Sequence, residues 1–191
     1  MAKYFSLRQC LYSKTAIDNG LSNVPGDDVI EKPDLTKDKV IGNINALMKN
    51  CINPIKDKFP DIIITSVYRS VAVNKATGGV ENSQHIAGMA ADITDLGKTK
   101  TSSIFNWIIN NIPEWNQLIW EAPERGLFTD NPKNHSWIHI SYEEGNNPKT
   151  QSVYSLNEKV HTHYKYHDGI YRKGNYTHGI KSANQYIINH L

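Results

Sequence analysis

The sequence predicts an α+β fold, with a small and mostly antiparallel sheet and helices packed on one of its faces. Three observations predict it: a long helical pattern after Thr36, four short runs with the composition of strands, and a second helical pattern near residue 101. At 191 residues the chain is long enough for one well-packed domain and too short for two large ones. Residues 1–33, ahead of these elements, are interpreted as an irregular N-terminal wrap.

Both helices are predicted from apolar residues that recur at steps of three and four positions. The first begins after Thr36, which has the side chain of an N-cap, and Pro54 is expected to kink this helix or end it early. The second can be capped by Thr101 or Ser102 and is expected to stop at Pro113.

Four strand-like segments are expected to form the centre of the sheet. Each is short, and each is either rich in β-branched and aromatic residues or alternates between apolar and polar positions. The segments are 62–68, 92–94, 117–121 and 136–142. In the last of them, the alternation places His139 on one face together with Trp137 and Ser141.

Composition and charge exclude several classes of protein. The formal net charge of +2 is too small to indicate a nucleic-acid partner. No run of residues approaches the ~18 consecutive apolar positions of a membrane span, and residues 1–14 lack the apolar run and cleavage site of a secretory signal. Cys10 and Cys51 belong to no C-x-x-C pattern, so both are predicted to be free thiols.

Three residues of the chain could together hold a catalytic metal ion. A catalytic zinc site takes three histidine or carboxylate ligands and leaves a fourth position open for water. His85 and Asp92 flank a segment that contains Gly88, and the predicted strand 136–142 could bring His139 beside them. A single histidine is as readily a hydrogen-bonded core or surface residue. The spacing alone therefore leaves both interpretations open.

Several short motifs occur in a fixed order along the chain. They are S-V-Y-R-S at 66–70, V-N at 73–74, G-G at 78–79, N-S-Q-H at 82–85, G-M-A-A-D-I at 88–93 and W-I-H-I-S at 137–141. In this order they resemble the zinc D-Ala-D-Ala carboxypeptidase family, the M15 peptidases, and in particular its compact branch from phage and prophage genomes. We therefore expect a peptidase-like domain at residues 1–149 and a Tyr- and His-rich appendage of unknown role at residues 150–191.

The resemblance implies a role for each of four residues. His85, Asp92 and His139 would be the ligands of Zn2+, and the metal would lower the pKa of its bound water towards ~7. Arg69 would bind the substrate and assist catalysis. A guanidinium can pair with a substrate carboxylate or stabilise the oxyanion of the tetrahedral intermediate.

The resemblance leaves two parts of the site open. Ser83 and Gln84 either hydrogen-bond the substrate backbone or form a turn that presents the first ligand. Many relatives carry an acid three residues before the last histidine, where this chain has Ser136, which cannot act as a general base. Glu121 is the preferred substitute, because a partly desolvated carboxylate can have its pKa raised to suit proton transfer, and His135 is the alternative.

The function that the resemblance implies is cleavage of peptidoglycan stem peptides, as a D,D-carboxypeptidase or an endopeptidase, by a phage-associated protein. Without an export signal, such a protein would act in the virion or the host cytoplasm and would reach the cell wall through other proteins. A competing hypothesis is a non-catalytic virion or cell-wall-binding protein, which Ser136 favours. A cytoplasmic D-Ala-D-Ala dipeptidase is a third hypothesis, and it fits the compact branch less well.

Clustered histidines and tyrosines distinguish residues 150–191 from the rest of the chain. His161, His163 and His167 could form a second metal site. Such clusters more often form a solvated or partner-facing surface. The appendage could therefore contact other virion proteins.

Overall fold

The structure, a computed structural model, describes residues 4–28, 30–95, 98–99, 101–122, 136–147, 150–155, 164–167 and 170–173. For the last three ranges only the backbone is described. The α+β class predicted from the sequence is confirmed, because helices pack against a sheet that is mostly antiparallel. None of the helices in these ranges has the length and apolarity that a bilayer crossing requires.

The helices lie mostly in the first two thirds of the chain. They are α1 (Leu7–Cys10), α2 (Lys14–Asn19), α3 (Lys37–Leu47), the π-helical segment (Met48–Ile52), α4 (Asn53–Lys58), α5 (Val71–Ala76) and α6 (Thr101–Asn111). The N-terminal wrap is therefore not wholly irregular. Its two short helices are capped by Ser6 and Ser13, whose side chains accept hydrogen bonds from the backbone of the first turn.

The first long helix begins where the sequence predicts and continues past Pro54. The Thr36 hydroxyl accepts a hydrogen bond of 3.3 Å from the backbone three residues further on, so the N-cap is confirmed. Proline lacks an N–H, and its ring collides with the preceding turn of a regular α-helix. In the π-helical segment the Asn53 N–H donates to the Met48 carbonyl, which widens the helix just before the proline. The wider turn lets the helix continue as α4.

The described sheet has seven strands, and the four predicted from the sequence are antiparallel neighbours that form one side of it and not its centre. The strands are β1 (Ile63–Ser66), β2 (Ala90–Thr94), β3 (Gln117–Ala122), β4 (Trp137–Ser141), β5 (Thr150–Ser155), β6 (Tyr164–His167) and β7 (Ile170–Lys173). Their order is β1-β2-β4-β3-β5-β6-β7, and only the β3–β5 pair is parallel. The described parts of residues 150–191 thus continue the sheet, and the domain boundary at residue 149 stays a prediction.

Alternating side chains give β2, β3 and β4 one apolar face and one face with polar groups. The apolar face packs on α3 and α6. Its buried residues are Ala91, Ile93, Leu118, Trp120, Ile138 and Ile140. On the other face, the strand register pairs His139 with Asp92 and Trp137 with Glu121. The fold therefore collects polar side chains from β2, β3 and β4 on one surface.

Cys10 and Cys51 are both free and buried, which confirms the prediction of free thiols. Burial raises the pKa of the Cys10 thiol to about 11 and that of the Cys51 thiol to about 12. At neutral pH both thiols are protonated and act as small apolar groups of the core.

Candidate metal centre

Three buried side chains, those of His85, Asp92 and His139, converge on the polar face of the sheet. Asp92 on β2 and His139 on β4 are cross-strand partners, and Asp92 Oδ1 lies 3.0 Å from His139 Nδ1. His85 comes from the loop before β2, and its Nε2 lies 3.2 Å from Asp92 Oδ1 and 3.3 Å from His139 Nδ1. One nitrogen or oxygen atom of each residue lies within 4.8 Å of the others, so the set could hold a metal ion.

The ring of His85 is oriented by a backbone carbonyl. Its Nδ1 lies 2.7 Å from the carbonyl oxygen of Val67. Because that oxygen can only accept a hydrogen bond, we assign the proton to Nδ1. The lone pair on Nε2 is then directed at Asp92 and His139. Metal-binding histidines are typically held in this way by a bond from their other nitrogen.

The loop that carries His85 is pressed against helix α3 at Gly88. This glycine has a φ of +70°, and a Cβ atom there would lie 2.9 Å from both Ile44 Cγ1 and the Val40 carbonyl oxygen. The Asn43 side chain donates a hydrogen bond of 2.8 Å to the carbonyl of the residue before Gly88. The small residues in the sequence of this loop therefore serve a close approach of two backbones.

The electrostatics of the cluster favour a charged carboxylate and a neutral imidazole. Burial alone would raise the pKa of Asp92, but its electrostatic and hydrogen-bond interactions with His85 and His139 hold it well below its usual range. Burial lowers the pKa of His85, against the opposing effect of the Asp92 carboxylate. These are the protonation states in which carboxylate and imidazole bind metals.

Arg69 lies beside the cluster, as the sequence predicts for a site residue. Its Nη2 donates to Asp92 Oδ2 at 2.5 Å, and its Nε donates to Ser66 Oγ at 2.8 Å. The backbone N–H of Arg69 donates to the carbonyl of His85 at 3.2 Å. The guanidinium group is thus fixed on one side of the cluster of His85, Asp92 and His139, and its Nη1 has no hydrogen-bond partner among the described residues.

Glu121, at the end of β3, shares the face of His139 and Asp92. Its Oε2 accepts a hydrogen bond of 2.5 Å from the indole Nε1 of Trp137. Burial raises the pKa of Glu121, although the charge of His139 and the Trp137 hydrogen bond oppose the shift. A carboxylate with a raised pKa that interacts electrostatically with the cluster is suited to proton transfer.

The side chain of Ser136 is bonded to helix α6 and offers no group for proton transfer. It is buried, and its hydroxyl donates a hydrogen bond of 3.2 Å to the Thr101 hydroxyl at the start of α6. In place of the acid that many relatives carry at this position, the residue before β4 makes a hydrogen bond to α6. His135, the alternative base, lies outside the described residues.

Ser83 and Gln84 precede His85 in a chain of turns. Ser83 Oγ accepts a weak hydrogen bond of 3.4 Å from the His85 N–H, which favours the interpretation of this residue as part of the turn that presents His85. The Gln84 side chain contacts a residue outside this turn. Its Nε2 donates a hydrogen bond of 2.9 Å to Asn116 Oδ1.

Asn116, which no sequence motif singles out, determines how the Gln84 amide is oriented. Its own Nδ2 donates to the Asn146 carbonyl at 2.7 Å and approaches Glu143 Oε2 at 3.4 Å. Both of those partners can only accept, so Asn116 must present its Oδ1 to Gln84. Gln84 then keeps its Nε2 on Asn116 and has its amide oxygen left to accept a hydrogen bond.

Two imidazoles and one carboxylate that converge at one face of a sheet are the ligand types of a catalytic metal site with an open position. The chain belongs to the peptidase M15 family, since a family model described as Peptidase M15 matches residues 4–114, more than half of the chain. The resemblance inferred from the motifs is thereby confirmed at the level of the family. A comparison with curated proteins gives no match.

Membership in the family implies a metallopeptidase that acts on substrates of the peptidoglycan type. Peptidases of this family generally depend on zinc, and histidine nitrogen with carboxylate oxygen is a donor set that zinc accepts. The matched range contains Arg69, His85 and Asp92, and it ends before Glu121 and His139. The case for those two residues therefore rests on their position in the sheet.

Proposed function

We propose that this protein binds one zinc ion through His85, Asp92 and His139 and hydrolyses a peptide bond in peptidoglycan stem peptides. The reaction would be that of a D,D-carboxypeptidase or an endopeptidase. The observation that carries the proposal is the convergence of three buried ligand atoms within 4.8 Å in a chain of the M15 family. The neighbouring arginine and the carboxylate on β3 supply the other groups that peptide hydrolysis needs.

When bound, zinc supplies Lewis acidity, which acidifies water and polarises the carbonyl of the scissile bond. Glu121 takes the proton from the attacking water and passes it to the leaving amine. Its raised pKa makes it a stronger base than an ordinary glutamate, and its bond to Trp137 keeps the carboxylate in place. Asp92 and Ser66 hold the Arg69 guanidinium so that its remaining donors can bind a substrate carboxylate or oxyanion.

Gln84 and Ser83 complete the proposed substrate site. A stem peptide offers backbone N–H groups, and the free amide oxygen of Gln84 is an acceptor suited to one of them. Ser83 is less available, because its hydroxyl already contacts the His85 N–H. In this proposal Gln84 binds substrate directly, and Ser83 chiefly supports the turn.

Delivery to the wall and association with a phage are further parts of the proposal. The motifs resemble the compact phage branch, which supports a protein that reaches the wall from a virion or from the host cytoplasm with the help of other proteins. Residues 150–191 could supply the contact with other virion proteins. Flanking genes for a holin would support a lysis enzyme, and flanking tail genes would support a virion component.

A second candidate function is a non-catalytic protein that uses the same fold for attachment to the wall or for virion structure. One observation favours it: the position of the usual acid is held by Ser136, whose hydroxyl is bonded to Thr101. The two candidates differ in whether Glu121 is needed for cleavage.

The decisive experiment measures zinc content and the release of D-alanine or new amines from purified peptidoglycan. We expect one zinc per chain in the wild type and in Glu121→Gln, loss of zinc in His139→Ala, and loss of cleavage in both variants. Glu114→Gln, which changes an exposed glutamate, serves as the matched control and should cleave normally. Zinc binding without cleavage by the wild type would favour the attachment protein and overturn the proposed mechanism.

A further inference from the structure

The segment that precedes the first long helix is bonded to the turn that carries Arg69. The Asn23 side chain makes three hydrogen bonds there. Its Nδ2 donates to the carbonyls of Leu11 at 3.0 Å and Tyr68 at 3.1 Å, and its Oδ1 accepts from the Ser70 N–H at 2.7 Å. Both N–H donors of the amide and its oxygen are therefore used, and the partners allow only one orientation of the group.

Two neighbours of Asn23 extend this attachment. The Ser70 hydroxyl donates to the Ser22 carbonyl at 2.7 Å. The Asp28 carboxylate accepts from the Val71 N–H at 2.9 Å, at the start of α5. We call Ser22, Asn23 and Asp28 the N-terminal clasp. The clasp is bonded to Ser70 and Val71, on the carboxyl side of Arg69. Asn23 is also bonded to the carbonyl of Tyr68, on the amino side.

Arg69 depends on this backbone for its position. Its guanidinium lies at the end of a long side chain, so a small rotation of the backbone displaces the charged group by several times the movement at Cα. The Tyr68 carbonyl and the Ser70 N–H, both bonded to Asn23, belong to the peptide units on either side of Arg69. An arginine with a fixed backbone and a bond to Asp92 loses less conformational entropy when it binds a substrate.

We propose that Asn23 is a positioning residue for Arg69 and that it acts on substrate binding through the arginine. This inference rests on the proposed function of the same site. Among the described residues, no hydrogen bond joins Ser22, Asn23 or Asp28 directly to His85, Asp92 or His139. Loss of the Asn23 side chain should therefore weaken the hold on substrate and leave the metal-binding set intact.

A double-mutant cycle separates positioning from general stabilisation. Asn23→Ala, Arg69→Ala and the double variant are compared with the wild type on a D-Ala-D-Ala-ended stem peptide, well below the lowest Tm. We expect Asn23→Ala to lower kcat/KM by about tenfold, mainly through KM, and to have almost no further effect once Arg69 is absent. A purely structural asparagine would give the same loss in both backgrounds and would overturn the proposal.

Two further variants serve as a control and as a substitute in the double-mutant cycle. Asn19→Ala removes an asparagine whose side chain, among the described residues, bonds only to the Thr15 carbonyl of its own helix, and it should leave kcat/KM unchanged. Asn23→Asp keeps an acceptor for the Ser70 N–H, so it replaces Asn23→Ala in the cycle if the alanine variant does not fold. Zinc content should equal that of the wild type in every Asn23 variant. A loss of zinc would mean that Asn23 acts through the metal site, against the proposal.

A spectroscopic readout makes the inference independent of catalysis. Because Arg69 Nε donates to Ser66 Oγ, the Nε–H signal of Arg69 should be resolved and protected from solvent exchange in NMR spectra of the wild type. We expect this signal to broaden or exchange faster in Asn23→Ala and to be unchanged in Asn19→Ala. If the wild type cleaves no peptidoglycan, the proposed function fails, and an unaltered Arg69 signal in Asn23→Ala would separately refute the positioning role.

Discussion

At the scale of single residues, the pKa of Glu121 depends on a hydrogen bond from the indole N–H of Trp137. Burial raises the pKa of this carboxyl group, and the Trp137 hydrogen bond lowers it. Trp137→Phe removes the donor, so the pKa should rise further. A hydrogen bond to a charged group contributes about 1.5–3 kcal/mol, and one pKa unit is about 1.4 kcal/mol. We expect the acid limb of the kcat/KM profile to move to higher pH by about one unit.

The control for this prediction is Trp107→Phe, in which the altered ring contacts Phe59 in the core instead of the site. Its pH profile should match that of the wild type. An acid limb that stays in place, or moves to lower pH, in Trp137→Phe would show that Glu121 is not the group that must lose a proton.

The candidate ligand and substrate-binding residues could be predicted from the sequence more readily than the residues that orient their side chains or backbone. The motifs select His85, Asp92 and Arg69 because ligand and substrate roles demand particular side chains. Asn23 and Asn116 carry no such signal, because asparagine is common in turns and caps. Their partners lie 47 and 32 positions away, and only the fold brings them together.

At the scale of elements, the loop that carries His85 packs closely against helix α3 at Gly88. Gly88→Ala would place a methyl group 2.9 Å from a backbone oxygen of α3 and would force alanine into a positive φ. Strained φ costs about 1–2 kcal/mol and overpacking about 1–3 kcal/mol. We expect the free energy of unfolding to fall by about 2–4 kcal/mol, measured by chemical denaturation.

Gly42→Ala is the matched control, because it changes a glycine of α3 that has no atom within 4 Å of the added Cβ. Alanine is the better helix former, so this variant should be more stable by up to about 1 kcal/mol. Equal stabilities for the two alanine variants would contradict the close approach at Gly88.

Long elements could be predicted from periodicity, and short or irregular ones could not. In helix α3 and in strands β1 to β4, apolar residues recur at a regular spacing over enough positions to predict the element. Helices α1 and α2 span only 4 and 6 residues and depend on serine caps and packing. Strand β1 is shorter than the predicted 62–68, and its register with β2 shifts between Ile64 and Ser66.

At the scale of the whole molecule, the cluster of His85, Asp92 and His139 brings together a loop and the strands β2 and β4. A bound ion should therefore stabilise the entire fold. At about 100 times its Kd, a ligand adds about 2.7 kcal/mol, which for a chain of this size raises the Tm by about 5–10 °C. We expect removal of zinc by a chelator to lower the Tm by this amount.

Restoring zinc should return the Tm to its original value in the wild type. In His139→Ala neither the chelator nor added zinc should change the Tm appreciably. A wild-type Tm that is insensitive to both treatments would contradict metal binding by His85, Asp92 and His139.

The order β1-β2-β4-β3 has a consequence for how the protein is made. Strand β4 is the last of the four along the chain, yet it lies between β2 and β3. During synthesis, β1 can pair with β2, while β3 has no neighbour until β4 emerges. The sheet then closes in a late, non-local step, which is expected to be slow. A nascent or truncated chain that ends before His139 would therefore lack one of the three side chains that could hold a metal ion.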